Sequence, residues 1–158
     1  MDHSPGRSRW RHYRFRSVWD LDAPPGAVFA VLERAEEYPR WWRQVRQAAP
    51  ETDDPAAGTA RFRSVLPYDL VVTAREAERD AAAGVLRIRL SGDLDGWVRW
   101  TVTARGAGTR AVFDQEVELT WRLPLPVAVV CRPLFRANHR LMMRGGLRGL
   151  RARLAAGG

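Results

Sequence analysis

The chain has 158 residues, of which 46% are hydrophobic, 28% are charged and one, Cys131, is cysteine. This length suits one domain with a sizeable core, and a lone cysteine excludes an internal disulfide and a multi-cysteine metal site. The net charge of +8 lies entirely in residues 122–158, which contain eight arginines and no acidic residue.

The sequence offers no membrane span, secretory signal or cofactor motif. Its longest apolar run, residues 123–131, has nine residues including two prolines, too few to cross a bilayer. The basic N-terminus has no apolar stretch of the kind found in signal peptides, so we expect a cytoplasmic protein. Three scattered histidines and one cysteine predict no metal site, and no glycine segment matches a phosphate-binding motif, so we expect no cofactor.

The N-terminal quarter predicts one strand and two short helices. Residues 1–12 are polar and basic and are interpreted as a flexible arm, followed by a single domain over residues 13–155. Aromatic and aliphatic side chains alternate over residues 13–21, which predicts a strand with one buried face. Asp22 is predicted to cap a helix that starts at the following prolines and runs to about residue 34. A short turn at 35–38 is expected to end at Pro39.

The middle of the chain predicts an antiparallel sheet. Turn sequences separate six segments in which apolar and polar residues alternate, and such one-sided strands form a sheet with one face in water. The predicted strands are residues 43–51, 59–66, 68–80, 85–92, 95–105 and 109–121.

The C-terminal segment predicts one amphipathic helix of about 30 residues, because its apolar residues recur with a period of 3.6. The apolar stripe is predicted to contain Val127, Val130, Cys131, Leu134, Phe135, Asn138, Leu141, Met142, Gly145 and Gly149. The opposite face carries Arg132, Arg136, Arg140, Arg144 and Arg151. The apolar faces of the helix and the sheet should cover each other.

Three segments carry a resemblance to a known superfamily. They are VWDLDAPPGAVFAVLERAEEYPRWW near the start, SGDLDGWVRWTVTARGAGTRAVFDQEVEL late in the sheet, and the C-terminal helix. Over residues 13–155 the chain resembles the START-like, birch-pollen-allergen-like superfamily, which includes the polyketide cyclase/dehydrase-like (SRPBCC) proteins. The resemblance implies an α+β helix-grip fold, in which a curved antiparallel sheet of about seven strands wraps around the long helix and two short helices follow the first strand.

The resemblance also implies a cavity between the sheet and the helix. Trp41 matches the tryptophan of the superfamily's Tyr-Pro-x-Trp turn and is predicted to fill the core, whereas Trp42 is predicted to be freer and to line the cavity entrance. The predicted cavity residues are Trp19, Trp42, Phe62, Ser64, Tyr68, Trp100, Phe113, Gln115, Leu134, Asn138 and Met142.

The roles of several of these residues, and of the neighbouring His139, stay open. Asn138 either offers its amide to a ligand or bonds to a strand residue such as Gln115 or Ser64. Each aromatic residue is either a cavity wall or ordinary core. His139 lies at the edge of the predicted stripe without an identifiable orienting partner, so no catalytic residue is assigned.

Three functions fit this sequence. The first is binding of a hydrophobic small molecule, polyketide-, quinone- or lipid-like, in the cavity. The second is a polyketide aromatase/cyclase or dehydratase, for which Tyr68→Phe should slow turnover. The third is a lipid or quinone carrier that meets an anionic membrane through the arginine face, which otherwise is simply a solvated surface. Specific nucleic-acid binding is not expected, because no recognition motif is present.

Overall fold

The computed structural model describes residues 9–54, 56–63 and 69–157. Most of the predicted arm and two predicted cavity residues, Ser64 and Tyr68, lie outside the described residues. The strands are β1 (His12–Leu21), β2 (Val45–Pro50), β3 (Ala57–Phe62), β4 (Leu70–Asp80), β5 (Val85–Gly92), β6 (Leu94–Arg105) and β7 (Gly108–Leu119). The helices are α1 (Pro25–Leu32), a 3-10 turn (Ala35–Glu37), α2 (Tyr38–Trp41) and α3 (Leu125–Ala156).

The strands form one seven-stranded antiparallel sheet in the order β1-β7-β6-β5-β4-β3-β2. In β7 every second residue is buried, so alternation divides the strand into an inner face toward α3 and an outer face in water. Arginines of the outer face pair with acids on neighbouring strands, as Arg14 does with Glu116 and Arg16 with Asp114. The curved sheet wraps around α3, and the predicted α+β helix-grip fold is confirmed.

The first helices differ from the prediction at their ends. The N-cap of α1 is Pro24 and makes no side-chain hydrogen bond, so the predicted Asp22 cap is wrong; Asp22 lies two residues upstream and is exposed. Pro39 is the second residue of α2, where a helix needs no backbone donor, and so it starts a helical turn instead of ending one.

The long helix is present, but its buried face lies about one residue from the predicted stripe. α3 has 32 residues and buries Ala128, Cys131, Phe135, His139, Met143, Gly146 and Leu150. Val130, Leu134 and Leu141, predicted to be buried, are 66%, 49% and 60% exposed. Two adjacent rows of this helix are apolar enough to be buried, and the packing partner decides between them.

That partner is the tryptophan pair at the end of α2, formed by its last residue, Trp41, and the next residue, Trp42. A Cβ atom on Gly146 would lie 2.6 Å from the Trp42 indole and 2.8 Å from that of Trp19. A Cβ atom on Gly149 would overlap the backbone carbonyl of Trp41. Glycine destabilises a helix interior by about 1 kcal/mol relative to alanine, and this close approach explains its presence. The two glycines form a notch that fixes the rotation of α3.

Trp42 is held more firmly than predicted. Its side chain is 3% exposed, and its Nε1 donates a hydrogen bond to the Met142 carbonyl at 2.8 Å. Trp41 is also buried, as expected, but its Nε1 has no partner among the described residues. The prediction that Trp42 is the freer indole is therefore wrong: α2 ends at Trp41, and the extended residue after it turns the next indole into the core against α3.

Candidate functional site

A cavity of about 150 Å³ lies between the inner face of the sheet and α3. Its walls are almost entirely aromatic and aliphatic, with contributions from β1, α2, β2 to β7 and α3. Seven of the predicted residues line it: Trp42, Phe62, Trp100, Phe113, Gln115, Asn138 and Met142. The fold thus brings together side chains from both ends of the sheet and from the middle of α3.

Two predicted residues lie elsewhere. Trp19 is 3% exposed and packs behind the lining, with its ring 4.9 Å from Trp100 and 5.7 Å from Trp42. Leu134 is 49% exposed and lies outside the buried face of α3, because the helix is rotated by one residue from the predicted orientation. The position of Trp19 makes it core and support for the cavity wall, whereas Leu134 belongs to the outer surface.

Asn138 sits where α3 meets the described end of the β3 region. Its Nδ2 donates to the Arg63 carbonyl at 3.2 Å, and both residues are among those that line the cavity. Of the two alternatives for this amide, the internal bond is present, although its acceptor is a backbone carbonyl instead of Gln115 or Ser64. The bond ties the helix to the edge of the cavity.

Gln115 bonds instead to His139, which the sequence placed at the edge of the helix stripe. His139 is 8% exposed, and its Nε2 lies 3.2 Å from the Gln115 Oε1 atom. Its ring stacks on Phe15 with a centroid distance of 3.7 Å and an interplanar angle of 7°. The orienting partner that sequence reasoning could not identify is therefore the polar residue on the inner face of β7.

This contact defines the protonation of the imidazole. Burial lowers the pKa of His139 from 6.5 to about 4, so the ring is neutral at neutral pH. An amide oxygen only accepts hydrogen bonds, so Nε2 carries the proton and Nδ1 keeps its lone pair. No described residue donates to Nδ1. The site therefore contains a neutral imidazole, bonded to Gln115, in the wall of an apolar cavity.

Two other polar lining groups are already in use. Burial raises the pKa of the Tyr38 hydroxyl, which donates to the Leu32 carbonyl at 2.6 Å. Asn138 bonds to Arg63 as described above. The amide nitrogen of Gln115, the Nδ1 atom of His139 and the hydroxyl of Tyr13, which also lines the cavity, have no hydrogen-bond partner among the described residues. The first two together suit one hydroxyl or carbonyl group.

Among the lining residues that sequence reasoning missed are Tyr13, Phe15 and His139. The two aromatic residues were recognised as the inner face of β1 but not connected to the cavity. A signal for the histidine existed, since Gln115 is a polar residue on an otherwise apolar strand face and needs a partner. What the sequence could not supply was the rotation of α3 that brings His139 to it.

The fold is shared with several solved structures. TTHA0849 from Thermus thermophilus superposes with a TM-score of 0.77 at 22% identity, covering 92% of this chain and 99% of that one. The Zhui aromatase/cyclase from Streptomyces sp. R1128 superposes with a TM-score of 0.73 at 14% identity, covering 91% and 94%. A START superfamily protein from Mycobacterium smegmatis gives a TM-score of 0.68 at 14% identity, covering 90% and 97%.

In the part of the chain that the structure describes, no helix is both long and apolar enough to cross a membrane.

Comparison of the sequence with known proteins and family models identifies the family. No curated protein matches the sequence. The family model described as polyketide cyclase/dehydrase and lipid transport matches residues 12–155, nearly the whole chain. The protein therefore belongs to the polyketide cyclase/dehydrase and lipid transport family.

Proposed function

We propose that the protein binds a small, mostly apolar molecule in the cavity and holds one hydroxyl or carbonyl group of it against His139 and Gln115. The observation that carries this proposal is the buried polar pair within an apolar enclosure. Ligand sites are typically apolar pockets with a few placed polar groups that orient the ligand. Family membership and the fold shared with the Zhui aromatase/cyclase support the same location.

The volume of the cavity limits the ligand. A dry cavity of about 150 Å³ admits a molecule the size of benzene. The cavity in this protein has about that volume, so it accepts one ring without rearrangement. A larger polyketide, quinone or acyl chain requires the wall to move, and Met142 is the most adaptable side chain of the lining. We therefore expect monocyclic phenols to bind first.

A pair of matched probes tests the polar recognition. p-Cresol and toluene have nearly the same shape, but only p-cresol can donate a hydrogen bond to Nδ1 of His139. One neutral hydrogen bond contributes about 1 kcal/mol, so p-cresol should bind roughly fivefold tighter by isothermal titration calorimetry. The double variant His139→Leu/Gln115→Leu should abolish this preference while toluene still binds, whereas His12→Leu, at a partly buried histidine that pairs with Glu116, should preserve it.

Two results would contradict the proposal. If neither probe binds, nor any larger aromatic, quinone or fatty acid in a thermal-shift screen, the cavity is not a ligand site. If the double variant His139→Leu/Gln115→Leu keeps the preference for p-cresol, the polar pair does not recognise the ligand. Asn138→Leu should leave the preference unchanged, because its amide already bonds to the Arg63 carbonyl.

A second candidate function is polyketide cyclase-type chemistry, favoured by the lone pair on Nδ1 of His139. A cyclisation of this class requires removal of a proton from a carbon between two carbonyls, and an oriented imidazole can accept it. However, a pKa of about 4 makes this imidazole a weak base at neutral pH, because burial disfavours the protonated product. For this reason ligand binding ranks above catalysis.

Proton exchange separates the two functions. The methylene hydrogens of benzoylacetone exchange in deuterated buffer, and NMR measures the rate. A cyclase-type site should accelerate the exchange above the buffer background, and His139→Gln should remove the acceleration. A binding site should leave the rate at the background or slow it. Acceleration that survives in His139→Gln would exclude this histidine as the base.

A further inference from the structure

Exposed apolar side chains are concentrated on one surface of α3. Among the described residues, seven large hydrophobic side chains are exposed, and only Val18 lies on another element. The six on α3 are Leu125, Val127, Val129, Val130, Leu134 and Leu141. At about 100° per residue, Val130, Leu134 and Leu141 lie within about 40° of one another, so they form a continuous row that we call the outer stripe.

Arginines border the outer stripe on the side away from the cavity. The arginine row consists of Arg136, Arg140, Arg144 and Arg148, all exposed. None of them forms an ion pair with an acidic residue in the described ranges. Many arginines of the sheet, in contrast, are neutralised by strand neighbours, as in the pair Arg99–Asp114. Four arginines without an acidic partner among the described residues thus lie beside the exposed leucines and valines of α3.

We infer that α3 docks on an anionic lipid surface through the outer stripe and the arginine row. On a membrane, the leucines and valines enter the boundary between headgroups and acyl chains, and the arginines contact lipid phosphates. A nucleic acid would engage the arginines but leave the leucines in water, because its phosphate backbone offers charge and not apolar surface. A second copy of the chain would cover the leucines but bring two arginine rows together.

The outer stripe adjoins the cavity. Asn138 lies about 40° from Leu134 around the helix, and the next residue in that direction, Met142, also lines the cavity. Docking through the outer stripe therefore presents the cavity side of α3 to the lipid interface. A hydrophobic ligand could then pass between the bilayer and the cavity with less exposure to water. This goes beyond ligand binding itself, which does not depend on a membrane.

Vesicle sedimentation tests the docking. The protein should sediment at low salt with vesicles of phosphatidylcholine and phosphatidylglycerol, much less with phosphatidylcholine alone, and salt should release it. The variant Leu134→Ser/Leu141→Ser should weaken binding by roughly tenfold or more, from the loss of apolar insertion. The variant Arg140→Gln/Arg144→Gln should weaken it roughly 30-fold at low salt.

Matched controls separate the site from general surface properties. Val18 is 49% exposed, the same as Leu134, so Val18→Ser removes an equally exposed apolar group from β1. Arg87→Gln/Arg89→Gln removes two exposed charges from the outer face of β5. Both controls should bind vesicles within about twofold of the unchanged protein. Circular dichroism should show that all four variants are folded, since every substituted residue is exposed.

Several results would overturn the inference. One is the absence of sedimentation with anionic vesicles at low salt. Another is binding that falls with the arginine variant but not with the leucine variant, which together with tight DNA binding would identify a polyanion surface. A third is a dimer in analytical ultracentrifugation that the leucine variant dissociates. In each case p-cresol binding in solution is measured separately, so failure of docking does not decide ligand binding.

Discussion

The buried neutral histidine predicts a specific sensitivity to mild acid. The pKa of His139 is lowered from 6.5 to about 4 in the folded protein because burial disfavours the charged ring. As pH falls through 6.5, the unfolded chain binds a proton that the folded chain does not. The stabilisation from the neutral ring is therefore fully present above pH 6.5 and is lost progressively as pH falls toward 4.

The magnitude follows from proton linkage. With a pKa of 6.5 in the unfolded chain and about 4 in the folded one, the free energy of unfolding drops by about 2 kcal/mol between pH 7 and pH 5. For a chain of this size, that lowers Tm by about 4–8 °C. The pKa of Asp20 is held well below its ordinary value by hydrogen bonds from Arg110 and Arg105, so the contribution of that carboxylate is lost only at lower pH.

The double variant His139→Leu/Gln115→Leu isolates the contribution of His139 to the pH dependence of stability. It removes the titrating ring and its amide partner together, so it should change the free energy of unfolding little at pH 7. His139→Leu alone should destabilise the protein by about 1–3 kcal/mol, because it leaves the Gln115 oxygen unpaired. Urea unfolding at pH 7 and pH 5 measures both quantities. The double variant should lose about 2 kcal/mol less than the unchanged protein on acidification. Equal losses in the two proteins would refute a buried neutral imidazole.

Three further predictions concern packing and buried hydrogen bonds. Gly149→Ala should destabilise the protein by at least about 2 kcal/mol in urea unfolding, because the new methyl group meets the Trp41 backbone carbonyl. Gly26→Ala should be near neutral, because the added methyl group would meet no neighbouring atom within 4 Å. Trp42→Phe should cost about 1 kcal/mol more than Trp41→Phe, since only Trp42 loses an indole hydrogen bond; equal losses would contradict this. Asp93→Ala should lower Tm by several degrees, because its carboxylate accepts from a β4 amide and an indole nitrogen.

The architecture could be predicted from the sequence, because the spacing of apolar residues and the positions of turn-forming residues determine it. Alternation located all seven strands, and β5 was predicted with its observed bounds. Strand ends elsewhere differ by up to two residues in the described ranges, because pairing with a neighbour sets where a strand stops. The capping prediction at Asp22 failed for a similar reason: prolines at the helix start leave few amides that require a side-chain acceptor.

The candidate site was less predictable, because it depends on long-range pairing. Most of the aromatic wall follows from strand alternation, which fixes the faces of Phe113 and Trp100. The polar pair does not, since Gln115 and His139 are 24 residues apart and meet only when α3 has one particular rotation. Sequence periodicity locates a helix face to within about one residue, or about 100°, and that uncertainty is enough to exchange His139 for Asn138.

The rotation of α3 can be argued from competing energies. Turning the helix by one residue would bury Leu134 and Leu141, worth about 1.5–3 kcal/mol each, and would expose His139. That orientation is disfavoured because the residues at the notch would then be Gly145 and Arg148 in place of Gly146 and Gly149. A long charged side chain against the Trp41 carbonyl cannot be accommodated without separating the helix from the tryptophans. The same glycines therefore account for both the buried histidine and the exposed leucines.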